Sequence, residues 1–182
     1  MAQRFDRLDD RLSDFIRAQK LFFVGTATDD GRINVSPKGC DTLRLVDGNR
    51  LLWMNLTGSG NETAAHLQQS NRLTMMFCSF DEKPLILRLY GVAQIIHPRD
   101  SEWRQYIEQF PDFPNARQLI DFSFDLVQTS CGFGVPFYDY IGERDNMDKW
   151  VAAKGADAIK AYWAQKNQIS LDGLPTHILD DE

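Results

Sequence analysis

Residues 72–96 read RLTMMFCSFDEKPLILRLYGVAQII, and the fold class turns on how this stretch is read. Two runs rich in branched and aromatic residues flank the polar triplet Asp81-Glu82-Lys83, a pattern that predicts two long strands joined by a turn. Upstream, LFFVGTAT runs into Asp29-Asp30-Gly31 and then RINVS, so Asp-Gly between strand-like segments predicts a hairpin. TLRLVDGNRLLWMN repeats the device around Asp47-Gly48-Asn49. Downstream, QLIDFSFDLVQTS alternates Ile120, Phe122, Phe124 and Leu126 with polar neighbours, the mark of a half-buried strand.

Helical patterns occupy the ends and the crossings. Residues 4–19 place Phe5, Leu8, Leu12, Phe15 and Ile16 at spacings of three and four, which predicts a helix lying on a core. NETAAHLQQ makes about two turns, PRDSEWRQYIEQF opens another short helix, and ERDNMDKWVAAKG and ADAIKAYWAQKN read as two helices parted by Gly155. Six or seven hairpin-linked strands with such helices predict a mainly β, α+β fold: a closed or half-closed antiparallel barrel with flanking helices. The βαβ rhythm of a doubly wound dinucleotide fold is missing. Residues 1–142 are expected to form the barrel domain and residues 143–182 a helical extension packed on it.

The totals exclude several classes. A chain of 182 residues with 43% hydrophobic content can bury a core, and disorder is not expected. Its net charge of −6, spread along the chain, leaves no basic stripe for nucleic acid. Three cysteines, Cys40, Cys78 and Cys131, stand far apart without a CxxC pair, which fits a reduced, cytoplasmic protein. The N-terminus MAQRFDRLDDRL lacks the pattern of a secretory signal, and no apolar run approaches the roughly 20 residues of a membrane span. No membrane partner is expected. His97 and His177 lie near no cysteine or carboxylate at ligand spacing, so no metal is expected, and Cys131 has no identifiable base.

The chemistry concentrates in TGSGNETAAHL, residues 57–67. Ser59 and Glu62 stand in the S-x-x-E relation of a capping box, which would account for the turn as a helix start alone. Yet Thr57, Ser59, Asn61 and Thr63 crowd that turn, and Gly58 and Gly60 let the backbone approach a ligand. Free N–H groups at the positive end of a helix suit an anion, and phosphate is the natural guest. His66, inside the helix, is expected to face solvent or cap the core. In INVSPKG, residues 33–39, Pro37 requires a strand end, a bulge or an edge, leaving Ser36 and Lys38 facing a space. Arg88, in LILRLYG, either points to solvent or is buried against an anion.

Taken in order, NVSPKG, LLWMN, TGSGNETAAHL, RLTMMFCSF and LRLYG resemble the pyridoxamine 5′-phosphate oxidase-like family of flavin-binding split barrels, from about Leu21 to Gln94. The resemblance implies that Val35, Ser36 and Lys38 touch the flavin ring or its ribityl chain. It implies that Thr57, Ser59, Gly60 and Asn61 hold the FMN phosphate, that Arg88 lies beside the cofactor, and that two copies build the site where they meet. Asn61 stands where the oxidase has a phosphate-loop lysine, Ile86 replaces a flavin-contacting glutamine, and GLPTHILDDE lacks the arginine segment that grips the vitamin substrate. The resemblance therefore implies an FMN-dependent oxidoreductase acting on another small molecule. Its alternatives are haem or a deazaflavin in the same barrel, or a binding or sensing module without turnover.

Overall fold

The computed structural model describes residues 2–180. The chain begins with β1 (Gln3–Phe5), α1 (Asp10–Ala18), β2 (Phe22–Thr26), β3 (Asn34–Lys38), β4 (Leu43–Leu45) and β5 (Arg50–Leu56). It continues through α2 (Glu62–Gln69), β6 (Arg72–Cys78), β7 (Ile86–Ile96), α3 (Trp103–Ile107), β8 (Ala116–Ser130), α4 (Asn146–Lys154) and α5 (Ala156–Lys166). The strands make one antiparallel sheet in the order β3-β2-β6-β7-β8-β5-β4, with β1 added on β8. The sheet curls into a half-barrel flanked by helices, the split barrel of a mixed α+β fold.

The 72–96 stretch is the expected pair, in register from Arg72 opposite Val92 to Cys78 opposite Ile86. Its turn is set by Asp81, whose carboxylate accepts from the Ser79 hydroxyl at 2.6 Å and from the Lys83 amide at 2.9 Å. Such side-chain capture of nearby donors is why a polar triplet turns rather than extends. β7 then runs along β8, with a bulge at Tyr90/Gly91. Bulges bend a strand and raise its twist.

Burial explains the near-continuous apolar run LLWMN. Leu51 and Trp53 of β5 enter the main core with Phe22, Met75, Phe77, Leu87 and Phe122. Leu52 and Met54, pointing the other way, join Ile96, Phe110 and Leu119 in a second cluster that Trp103 and Ile107 of α3 also pack against. A strand covered on both faces loses the polar half of its alternation.

Three expectations are corrected. The N-terminal helix covers Asp10–Ala18 rather than 4–19, because the Asp9 carboxylate caps it by accepting the Leu12 amide at 2.7 Å. Phe5 belongs instead to β1, opposite Val127, where β8 offers a ladder that one strand alone could not supply. This makes eight strands among the described residues rather than six or seven. The helix expected over 98–110 is confined to Trp103–Ile107. Pro37 sits on β3 at the sheet edge, where a missing donor costs no central ladder bond. Gly155, at φ 75°, parts the last two helices. The acidic end, Asp181-Glu182, lies outside the described residues. No helix among the described residues is long and apolar enough to cross a membrane.

Candidate functional site

The edge strand β3 sorts its residues by face. Val35 and Pro37 are exposed while Asn34, Ser36 and Lys38 are half-buried. Phe22, a core residue, stands opposite Lys38 in the ladder, so Lys38 shares the inner face. Its ammonium lies 5.2 Å from the centroid of the Trp53 ring. Burial, and then the nearby Arg117 charge, push the Lys38 pKa down to about 8, with Glu62 opposing. Asn34 donates to Thr26 Oγ1 at 3.2 Å and to Thr63 Oγ1 at 3.1 Å, which ties β3 to α2. His66 is buried rather than facing solvent, with Nδ1 3.1 Å from Thr26 Oγ1.

The turn from Thr57 to Asn61 follows β5 and starts α2. Beneath it stands Arg117, near the start of β8 and only 3% exposed. Its guanidinium donates to the Gly60 carbonyl at 2.9 Å, to Asn61 Oδ1 at 3.2 Å and to the Gly58 carbonyl at 3.3 Å, while Nε has no partner. Burial lowers the Arg117 pKa to about 10, so it stays charged at neutral pH. Asn167, just past α5, donates Nδ2 to Asn61 Oδ1 at 2.7 Å and to the Gly58 carbonyl at 2.9 Å.

Two of the expected phosphate ligands are thereby engaged in the fold. Thr57 donates its hydroxyl to the Asn115 carbonyl at 2.8 Å and accepts the Trp163 indole N–H at 2.8 Å. Asn61 donates Nδ2 to the carbonyls of Lys166 at 2.7 Å and Ile169 at 3.2 Å. Ser59 and Gly60 remain exposed. The capping box is not formed: Asn61 is the N-cap residue, without a side-chain cap, and the Glu62 carboxylate accepts the Asn61 amide at 3.0 Å. The backbone nevertheless turns carbonyls toward Arg117 and amides away from it. Peptide units are planar and trans, so with the Gly58 and Gly60 carbonyls turned inward to Arg117, the N–H groups of Ser59 and Asn61 point outward. A Cβ placed on Gly58 would meet nothing within 4 Å, so the turn is open beside Gly58, whereas one on Gly60 would lie 3.5 Å from Glu62 Oε2.

Arg88 and Val35 lie elsewhere. Leu87 and Leu89 are fully buried in the core, so Arg88 faces the opposite, outer side of the sheet, where it donates to Ser130 Oγ at 3.3 Å. Three strand steps, β3 to β2 to β6 to β7, put it about 14 Å from the edge strand. Ser36 and Lys38 lie on the inner side of the sheet, where the charges of Arg117 and Glu62 reach Lys38, while Val35 and Arg88 lie on the other. The local sequence does not mark Arg117, Trp163 or Asn167 as parts of this site, and it marks Glu62 only as a cap. Arg117 stands at the start of a strand that alternates apolar and polar residues and so gives no local signal of its own, and Asn167 stands 106 positions from Asn61 with no local pattern to announce it.

Comparison with known proteins agrees with this architecture. The family model described as pyridoxamine 5′-phosphate oxidase matches residues 8–131. The pyridoxamine 5′-phosphate oxidase family protein ustO of Aspergillus flavus is 35% identical over 94% of this chain and 76% of its own. Among solved structures, HupZ from Group A Streptococcus aligns with TM-score 0.53 at 16% identity, over 65% of this chain and 91% of that one. A FAD-binding protein from Mesorhizobium loti aligns with TM-score 0.51 at 11% identity, over 71% of this chain and 96% of that one. At such identities the two structures attest the shared fold.

Proposed function

Because the chain belongs to the pyridoxamine 5′-phosphate oxidase family, we propose that it is an FMN-binding oxidoreductase passing electrons to a small molecule, with the cofactor phosphate on the outer side of the Thr57–Asn61 turn. The observation that carries this reading is Arg117: a buried cation bound to carbonyls and an amide oxygen, with one nitrogen unpaired, directly behind a glycine turn. A buried charge without an ionic partner is costly, and an anion seated across the turn would offset that cost. The donor set fits a phosphate. The Ser59 hydroxyl and amide would contact it, Lys38 would supply a direct charge, Arg117 would orient the amides from behind, and Gly58 leaves room for close approach. Thr57 and Asn61 would hold the turn in shape rather than touch the group. When bound, FMN supplies the hydride or electron transfer chemistry at its ring.

Flavin absorbance of the purified protein tests the proposal, and a colourless product that takes up no added FMN defeats it. Lys38→Met is expected to weaken FMN binding by about tenfold, the loss of one charge-assisted contact. Fluorescence titration measures it, and an unchanged dissociation constant removes Lys38 from the site.

The pKa of Lys38 gives the reading a pH signature. The folded protein releases this proton near pH 8, below the ordinary 10.5 at which the unfolded chain releases it. Unfolding between those values therefore takes up a proton, and the Lys38 contribution to stability rises with pH across that window. Affinity for an anion runs the other way: FMN should bind progressively less tightly above pH 8. Riboflavin, which lacks the phosphate, should show no such decline. Equal pH profiles for the two ligands would contradict the assignment.

We further infer that two copies pair through the outer face of the sheet. Val35, Ile33 and Val92 are 66%, 78% and 46% exposed, and Ile33 and Val92 line a depression of about 520 Å³ together with Tyr90. Apolar patches of that kind favour association. Pairing there would bring Val35 and Arg88 of one copy toward the other. Sedimentation should give twice the chain mass, and Val35→Arg should shift it toward the monomer; a monomeric parent protein would refute the pairing.

A further inference from the structure

The Glu62 side chain stands where the phosphate is proposed to sit, and its contacts reach further than the turn. One carboxylate oxygen accepts the Asn61 amide at 3.0 Å, the N–H that the inward Gly60 carbonyl turns outward. The same oxygen would lie 3.5 Å from a Cβ placed on Gly60. The other oxygen accepts the Leu171 amide at 3.4 Å, in the turn closed by the Ser170 and Leu174 bond of 2.9 Å. Glu62 is also the acid whose charge acts on both Lys38 and Arg117. A carboxylate thus stands within reach of the charge of both cations, with an ion pair to neither, and takes one amide of the seat.

Resting on the phosphate reading above, we propose that Glu62 is a tethered competitor for the seat and sets its selectivity for anions. A ligand phosphate must displace the Glu62 carboxylate from the Asn61 amide, and that displacement releases the Leu171 turn. Two anions cannot share one set of donors without strong repulsion, so binding and release are coupled. The coupling reaches the C-terminal segment because the same few residues hold both. Asn61 and Asn167 fix the chain at 166–169 from below the seat, and Glu62 fixes Leu171 from its outer side. Only the Glu62 contact lies on the ligand's side of the turn, so it is the one that yields.

FMN, riboflavin and inorganic phosphate, titrated into the parent protein and into Glu62→Gln, test this. The substitution keeps the side-chain shape and removes the charge. FMN affinity should rise about tenfold in the variant, riboflavin affinity should not change, and the Leu171 amide of the parent protein should exchange faster with solvent deuterium when FMN is present. The exchange measurement needs no variant and stands if Glu62→Gln folds poorly. An unchanged or weakened FMN affinity in a folded variant overturns the proposal and leaves the flavin reading intact, as does unaltered Leu171 exchange on FMN saturation. If neither protein takes FMN but Glu62→Gln gains affinity for inorganic phosphate, the competitor role holds and the flavin reading falls. If neither binds FMN or phosphate, both fall.

Discussion

Gly91→Ala is expected to lower the melting temperature by roughly 10 °C, the cost of forcing overpacking of about 3 kcal/mol or more into a backbone contact. The reason is local and geometric. A Cβ at residue 91 would sit 2.1 Å from the Ser123 carbonyl oxygen and 2.5 Å from Phe124 Cα, and neither atom can swing aside as a side-chain tip could. Gly91 lies at the bulge where β7 and β8 shift register, in the pairing that spans all of β7. Relief would require the two strands to part at the bend of the half-barrel. Gly58→Ala supplies the control, because a Cβ there meets nothing within 4 Å, and its stability should stay near that of the parent. Thermal unfolding followed by circular dichroism decides the matter. A Gly91→Ala protein melting within about 2 °C of the parent would show that the strands yield more easily than this packing implies.

The second large effect is expected at Arg117. Arg117→Met should weaken FMN binding by about a hundredfold, the equivalent of one strong charge-assisted interaction, with only a small change in melting temperature. Two opposing terms explain the small stability change. The Gly60 carbonyl loses a donor, while Asn167 still holds the Gly58 carbonyl and Asn61 Oδ1. Against that loss, the variant no longer buries an unneutralised cation, whose removal is often neutral or favourable when the replacement packs. Arg117→Lys separates charge from shape. It keeps the positive charge but cannot fork to the two carbonyls, so intermediate affinity would assign part of the effect to the orientation of the amides. Unchanged FMN affinity in a folded Arg117→Met protein would disconnect the buried cation from the ligand.

The same turn marks how far local sequence carries. Gly58 and Gly60 among hydroxyls and an amide announce a helix start with room for a ligand, and α2 begins there. The direction in which each donor points is not legible. Asn61 reads as a ligand because its amide lies in the turn, yet the carbonyls of Lys166 and Ile169, more than 100 positions later, take its donors. Ser59 and Glu62 match a capping box in spacing, but Glu62 takes the Asn61 amide and the Leu171 amide instead. Long-range partners overrule a local motif when they offer the same hydrogen bonds at the same atoms.

Local chain chemistry suffices for the hairpins, the helix at Asn61 and the break at Gly155, and it limits Pro37 to a strand end, a bulge or an edge. Each depends on backbone conformation within a few residues, which Asp-Gly turns, glycine and proline specify on their own. Packing in three dimensions was needed to add β1 to β8, to bury Arg117 beneath the glycine turn, and to divide Lys38 and Arg88 between opposite faces of the sheet. Those follow from strand order and curvature, which set distances between residues far apart in the chain and leave no periodic trace along it.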